Sequence, residues 1–252
     1  MVKRGMRISL EIVPRNEDEL VREAKLCEKW KSITHINIPD LLRFPLRSWE
    51  GAALLHQENV PLPVIPHIRA IDFDMRRDFP LKEFFMQHDI QTVLVIAGDP
   101  PQDMGRRVYP TKTTELIRKL KNELPSLTVY AAFDPYRANI RYELDYLLAK
   151  EDAGADGFMS QPFFDERLLE IYAEYLENKR VFWGISPVLS ERSKTYWEIR
   201  NRAIFPKNFE PTLEWNVRFG KKVIAFCKTH GFDLYVMPIK VDLAPYLETL
   251  LG

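Results

Sequence analysis

Cysteine is nearly absent: Cys27 and Cys227 are the only two in 252 residues. No CxxC pair or Cys/His cluster accompanies them, which excludes the usual zinc-finger and disulfide-scaffold classes, and no metal site is expected. Two isolated thiols fit a reducing compartment, and a bridge between them is left open. Charge of one sign is missing as well. Thirty-six basic residues balance thirty-six acidic ones, so no overall field draws the chain to nucleic acid or to an anionic membrane. No window holds the ~18 uninterrupted apolar residues of a membrane span. The opening MVKRGMRISLEIVPRNEDEL carries two early positive charges, but its apolar segment is short and acids follow at once, unlike a signal peptide. Together these absences predict a soluble cytoplasmic protein that binds neither nucleic acid nor membrane. There is also no GxGxxG after any apolar run, no GxSxG, no repeat and no Ser/Gly linker. The first two omissions argue against a dinucleotide-binding open sheet and a serine-hydrolase elbow. The last two argue for one domain over residues 1–252.

What is present is a rhythm. Eight short runs rich in apolar and β-branched residues recur: RISLEIVP, SITHINIP, PVIPHIRA, TVLVIAGD, LTVYAAFD, ADGFMSQP, RVFWGISP and FDLYVMPIK. Between them lie stretches with apolar residues three and four apart, such as NEDELVREAKLCEKW, TTELIRKLKNEL and DERLLEIYAEYLENK. The helical pattern is weakest between the second and fourth runs, where WEGAALLHQEN and LKEFFMQHD are short. Strands alternating with helices imply right-handed crossovers and a parallel sheet. Eight such units in this length predict a single closed (β/α)8 barrel of the TIM type.

Barrel geometry then orders the polar residues, because functional groups gather at the carboxyl ends of the strands. Those ends carry Glu11, Asn37 with Asp40, His67 with Arg69, Asp99, Asp134, Gln161, Ser186 and Lys240. So many polar strand ends are hard to explain as core filling, since each buried unpaired group costs about 1–3 kcal/mol. Glu11, flanked by apolar residues, is either salt-bridged in the barrel or a carboxyl raised by desolvation into the range of a general acid. Asp99 follows Gly98, whose missing side chain admits close approach, and precedes two prolines; turn capping is its other use. Gln161 offers donors and an acceptor without charge, suited to the edge of a heterocycle, or else to backbone groups at the strand end. Phe163 and Phe164 are pocket wall or core. His67 is a ligand contact or a structural histidine.

The motifs SLEIVP, VIAGDPP, VYP and DAGADGFMSQPFFD, in that order and at barrel spacing, resemble the methylenetetrahydrofolate reductase family. The likeness runs from residue 9 to about residue 188, and its most specific element spans Lys150 to Phe163. The resemblance implies a barrel that holds FAD at its strand ends and uses NADH or NADPH to reduce 5,10-methylenetetrahydrofolate to 5-methyltetrahydrofolate. It implies Glu11 as the acid that opens the folate's five-membered ring, and Asp99 as stabiliser of the resulting cation. Gln161 and Phe163 would contact the folate. Arg47, His67, Gly98, Asp99, Tyr109, Asp134 and Lys150 fall where flavin contacts are expected.

The chain also departs from the better-known bacterial pattern. Ala97 replaces an arginine before GD, and AAFDPYRAN is shorter than the usual segment after the fifth strand. Both features, with NIPDLLRFPLRS after the second strand, look more like the reductase half of bifunctional homocysteine methyltransferase/reductase proteins. After the seventh strand, Ser190, Glu191 and Arg192 stand where an aromatic covering the flavin is expected. Two alternatives follow: a flavin-free relative in which nicotinamide reduces the folate directly, and a folate-binding accessory subunit that needs a partner. Self-association is left open.

Overall fold

The computed structural model describes residues 5–100 and 106–252. Each of the apolar runs forms a strand: β1 Ile8–Glu11, β2 His35–Ile38, β3 Val64–Arg69, β4 Thr92–Ile96, β5 Thr128–Phe133, β6 Gly157–Pro162, β7 Val181–Ile185 and β8 Asp233–Val236. Every neighbouring pair is parallel, and β8 returns to hydrogen-bond β1, which closes the (β/α)8 barrel. The crossover helices are α1 Glu17–Cys27, α2 Ser48–Gln57, α3 Lys82–Gln87, α4 Thr113–Glu123, α5 Ile140–Asp152, α6 Glu166–Tyr175, α7 Glu191–Asn201, α8 Leu213–His230 and α9 Leu243–Leu251. Their ends follow local chemistry. Asn16, Asn139 and Thr212 accept backbone N–H groups at the starts of α1, α5 and α8, and Gly231 ends α8 in the left-handed region.

Two helices, α7 and α9, were not evident in the apolar spacing. α7 lacks an apolar stripe and buries only Trp197, so periodicity gives no signal. Ser190, in GISPVLSERS after the seventh strand, is its N-cap and accepts from Ser193 N. Both cysteines are free and buried. No helix among the described residues is long and apolar enough to cross a membrane.

The core has two compartments. Outward-facing strand residues pack against the helices in one large layer, which includes Leu10, Ile36, Val95, Trp183 and Val236. Inside the barrel, Ile65, Leu94, Tyr130, Met159, Phe182, Tyr235 and Met237 form a separate apolar plug. Beneath it Arg7 donates to Asp233 and to the Tyr130 hydroxyl, and its guanidinium stacks on Phe182. This plug fixes the depth of any site, because only the layer above it faces the open carboxyl ends.

Strand β6 contains an irregularity that aims the site. Met159 pairs with Phe182 but Pro162 pairs with Gly184, so β6 carries one residue more than β7 between those pairs. This β-bulge shifts the phase of alternation after Gln161. Gly184 permits it, since a Cβ there would lie 2.6 Å from Ser160 O, 2.8 Å from Gln161 O and 2.7 Å from Met237 Cε. The Gly184 N–H donates to Ser160 Oγ at 2.7 Å, pinning the bulge.

Candidate active site

A cavity of about 1400 Å³ opens above the plug, walled by the carboxyl ends of the strands and the loops that follow. Glu11, Asp40, His67, Arg69, Gly98, Asp99, Asp134, Lys150 and Gln161 all reach its wall. Period-two alternation explains the inward turn of the strand residues: Glu11 and His67 face the cavity while Leu10, Ile12 and Ile68 lie in the outer layer. Asp40, Gly98, Asp99 and Asp134 follow the strands, and Lys150 enters from α5.

At the deep end, Glu11 receives a hydrogen bond from the Tyr235 hydroxyl. Burial raises the Glu11 carboxyl to about 7, and the Tyr235 hydrogen bond offsets part of that rise. The Tyr235 hydroxyl also lies 3.2 Å from Asn37 Oδ1 and 3.4 Å from His67 Nε2. Asn37 turns its Nδ2 toward Met159 Sδ and its Oδ1 toward His67 Nε2. In that arrangement His67 donates from Nε2 as a neutral ring. Burial pulls its pKa down to about 4, against a smaller opposing pull from the Asp40 charge.

Farther out, between β4 and β5, the lining is charged. Gly98 takes φ of +84°, and a Cβ on it would meet Arg69 Cβ and Nε at 3.0 Å. Arg69, itself buried, crosses that glycine and donates to Asp99 O at 2.5 Å. The Asp99 carboxylate is left exposed on the wall. Lys150 is buried and donates to Ala132 O at 2.8 Å, with its ammonium 4.1 Å from the Tyr146 ring centroid. Burial lowers Lys150 to about 8, opposed by the Glu143 charge 3.8 Å away. Asp134 is raised, first by burial, and the Tyr136 N–H on its Oδ1 works the other way. Gln161 is exposed on the wall and makes no hydrogen bond through its amide with any described residue.

Three residues expected at the site lie elsewhere. Phe163 is wholly buried behind the barrel, against Phe133, Tyr172 and Trp183. Counting by twos from Gln161 places it in the cavity; the bulge turns it out, into the core behind the barrel. Arg47 is held off the wall by a two-pronged pairing with Asp40 at 2.8 and 2.6 Å, and it also binds Asp72 at 2.7 Å. Its guanidinium is further committed to the Trp49 ring. Tyr109 is tied through its backbone N–H to Ile71 O and lies under Arg107, not on the cavity wall. Of the other strand-end residues, Ser186 is buried away from the cavity and Lys240 is exposed.

The residue missed by sequence reasoning is Tyr235. Its signal was available: alternation in FDLYVMPIK sets Asp233, Tyr235 and Met237 on one face, and barrel closure brings that face beside Glu11. Arg106 and Arg137 were also missed. Both reach the cavity wall, and neither forms an ion pair with a described residue. No group of three or more His, Cys, Asp or Glu among the described residues is placed to hold a metal.

Comparison with known proteins adds relatives to this geometry. The methylenetetrahydrofolate reductase family profile matches residues 14–196, well over half of the chain. A 5,10-methylenetetrahydrofolate reductase of Buchnera aphidicola subsp. Schizaphis graminum is 24% identical over 151 residues, covering 58% of this chain and 52% of that protein. The corresponding Pectobacterium carotovorum subsp. carotovorum protein is 26% identical over 110 residues, covering 43% and 37%. The matched region therefore spans about half or less of these curated relatives. Among solved structures, an uncharacterized Clostridium thermocellum protein that binds two copies of 5-methyl-5,6,7,8-tetrahydrofolic acid superposes with a TM-score of 0.67 at 12% identity, covering 99% of this chain and 94% of that one. A 2,3-dimethylmalate lyase of the PEP mutase/isocitrate lyase superfamily gives 0.62 at 11% identity, covering 98% and 78%. At such identities these two structures establish the fold alone. Glu11 and Tyr235 both fall outside the matched range, so the case for them rests on geometry.

Proposed function

The chain belongs to the methylenetetrahydrofolate reductase family, and on that premise we propose that it reduces 5,10-methylenetetrahydrofolate to 5-methyltetrahydrofolate with NADH or NADPH as the hydride source. The observation that carries this reading is the pairing of Glu11, an acid poised near neutrality, with the uncommitted Gln161 amide on the same cavity wall. Protonated Glu11 gives its proton to the ring nitrogen that leaves the one-carbon bridge, which opens the five-membered ring to an iminium. Hydride adds to that carbon and makes the methyl group. Asp99, exposed on the wall, balances the positive charge while it exists. Gln161 pairs with the pterin edge, where a neutral amide avoids the desolvation cost of a charge.

The cavity also suits FAD. Its size exceeds the ~300–1000 Å³ of an ordinary small-molecule pocket, and Arg106 and Arg137, in no ion pair with a described residue, offer cations to a diphosphate. Gly98, His67, Asp134 and Lys150 are the further residues that would hold it. Bound there, the flavin supplies a two-electron relay between nicotinamide and folate.

One observation favours a second reading. Arg47 and Tyr109, both expected at the flavin, are engaged away from the cavity. In a flavin-free relative the nicotinamide would occupy that space and deliver hydride directly. The test is the visible spectrum of purified protein, before and after incubation with FAD and gel filtration, alongside a methylenetetrahydrofolate reductase assay. Retained flavin colour that bleaches with NADH or NADPH and returns with methylenetetrahydrofolate supports the relay. Colourless protein whose activity ignores FAD supports direct transfer. Flavin-loaded protein with no reductase activity, unaltered by Glu11→Gln, refutes both.

A further inference from the structure

Tyr235 enters the barrel on β8 in register with Ser9, two residues before Glu11 on the neighbouring strand. Its ring belongs to the apolar plug and is buried, and its hydroxyl emerges where the plug meets the polar layer. That hydroxyl has one proton and two acceptors within reach, Glu11 Oε2 and Asn37 Oδ1. The third neighbour, His67 Nε2, already donates to Asn37 and supplies no competing lone pair. No charged residue lining the cavity, from Asp40 and Arg43 after β2 through Arg69, Asp99, Arg106, Asp134, Arg137, Glu143 and Lys150 to Arg200 and Arg202 at the end of α7, makes a hydrogen bond or ion pair with Glu11. The phenol is therefore the one directional contact on this carboxyl among the described residues.

We infer that Tyr235 is the positioning residue of the Glu11 acid: its hydroxyl fixes the carboxyl in the cavity and swings its proton between Glu11 and Asn37 as Glu11 loses and regains charge. This deepens the proposed function and rests on Glu11 being the proton donor there. The proton count is simple. While Glu11 is protonated on Oε1, the oxygen not held by the phenol, its O–H is free to face the substrate and the phenol proton points to Asn37 Oδ1. When Glu11 gives its proton to the substrate, the phenol proton turns to Glu11 Oε2 and stabilises the new carboxylate. No proton leaves Tyr235, so its own high proton affinity in this buried place is no obstacle. A charged acceptor makes the stronger hydrogen bond, so the contact favours release of the Glu11 proton.

A merely space-filling tyrosine would leave the titration of Glu11 untouched, which gives the test. Full-length protein labelled with carbon-13 at the glutamate carboxyls is titrated by NMR without ligand, and the Glu11 signal is identified by its loss in Glu11→Gln. Tyr235→Phe keeps the ring in the plug and removes the hydroxyl. Its Glu11 midpoint should move upward by roughly one to two pH units. Replacing every tyrosine by 3-fluorotyrosine, a stronger donor of similar shape, should move the midpoint down and does not depend on the stability of a point variant. In turnover, Tyr235→Phe should lower kcat about tenfold or more with KM little changed. The decline of its rate with rising pH should begin at higher pH than in wild type. A Glu11 midpoint indifferent to both changes overturns the inference, even where reductase activity is found. A midpoint that moves as expected in a protein without reductase activity upholds Tyr235 and removes the folate reading instead.

Discussion

Glu11 and His67 impose opposite pH dependences on stability, and single substitutions should expose each. The folded chain holds the Glu11 proton up to about pH 7, while an unfolded glutamate releases it near 4.5. Between those values the native state binds more protons, so stability falls as pH rises. A shift from 4.5 to about 7 amounts to at most about 3 kcal/mol, reduced to the extent that cavity water screens the carboxylate. For His67 the order is reversed. The unfolded imidazole protonates near 6.5 and the folded one near 4, so stability rises with pH across that window by a similar amount, again about 3 kcal/mol at most. In the wild type the two slopes overlap and largely cancel. Glu11→Gln removes the first slope only. Relative to wild type it should gain stability steadily from pH 4.5 to 7 and by a constant amount above. His67→Gln should lose the acid-side decline and gain relative stability as pH drops from 6.5 to 4. Urea unfolding at half-unit pH steps measures both differences, and other titrating groups drop out of the comparison. If the Glu11→Gln and wild-type stabilities run parallel across this range, the carboxyl is not perturbed and the acid role derived for it fails.

Other perturbations separate packing from binding. Arg47→Met strands the buried Asp40 carboxylate and should cost about 3–5 kcal/mol in urea unfolding. Adding Asp40→Asn should recover part of that loss, and equal instability of single and double variants would deny the pair its structural role. Phe163→Ala should destabilise by about 3–5 kcal/mol with folate affinity retained in calorimetric titration; a stable variant that loses folate would return Phe163 to the pocket. Gly184→Ala should cost about 1–3 kcal/mol through the clash it forces. It should also weaken folate binding by displacing Gln161, and wild-type affinity in that variant would show the bulge does not aim the amide.

The barrel was legible because its signal is repeated: alternation and helical spacing recur from Ile8 to Val236, and a miscount at one helix leaves the closure intact. α7 escaped because a helix that buries only Trp197 leaves no stripe to read. For the site, strand-end position was enough to bring Glu11, His67, Asp99, Asp134 and Gln161 to one cavity, while Lys150, on α5, came from the family resemblance alone. It failed for Phe163, where one extra residue in β6 reverses the direction of every side chain that follows. The family resemblance set Arg47 at the flavin, but its charge goes to the nearest carboxylates, here Asp40 and Asp72. Tyr235 escaped for a different reason. Its importance comes from β8 lying beside β1, a contact between residues 224 positions apart that no local pattern displays.

The apolar plug has a consequence for the order of events in a cycle. Below Glu11 the barrel axis is filled by Phe182, Tyr130 and Met159 and stoppered by the Arg7–Asp233 pair. That end is closed by buried side chains of the plug. Under the proposed reduction, each proton given up at Glu11 would then be replaced from the mouth, the same doorway that would admit substrate and release product. Recharging the acid and emptying the pocket become serial steps on one path, and turnover in heavy water should slow in the recovery phase more than in the first catalytic event.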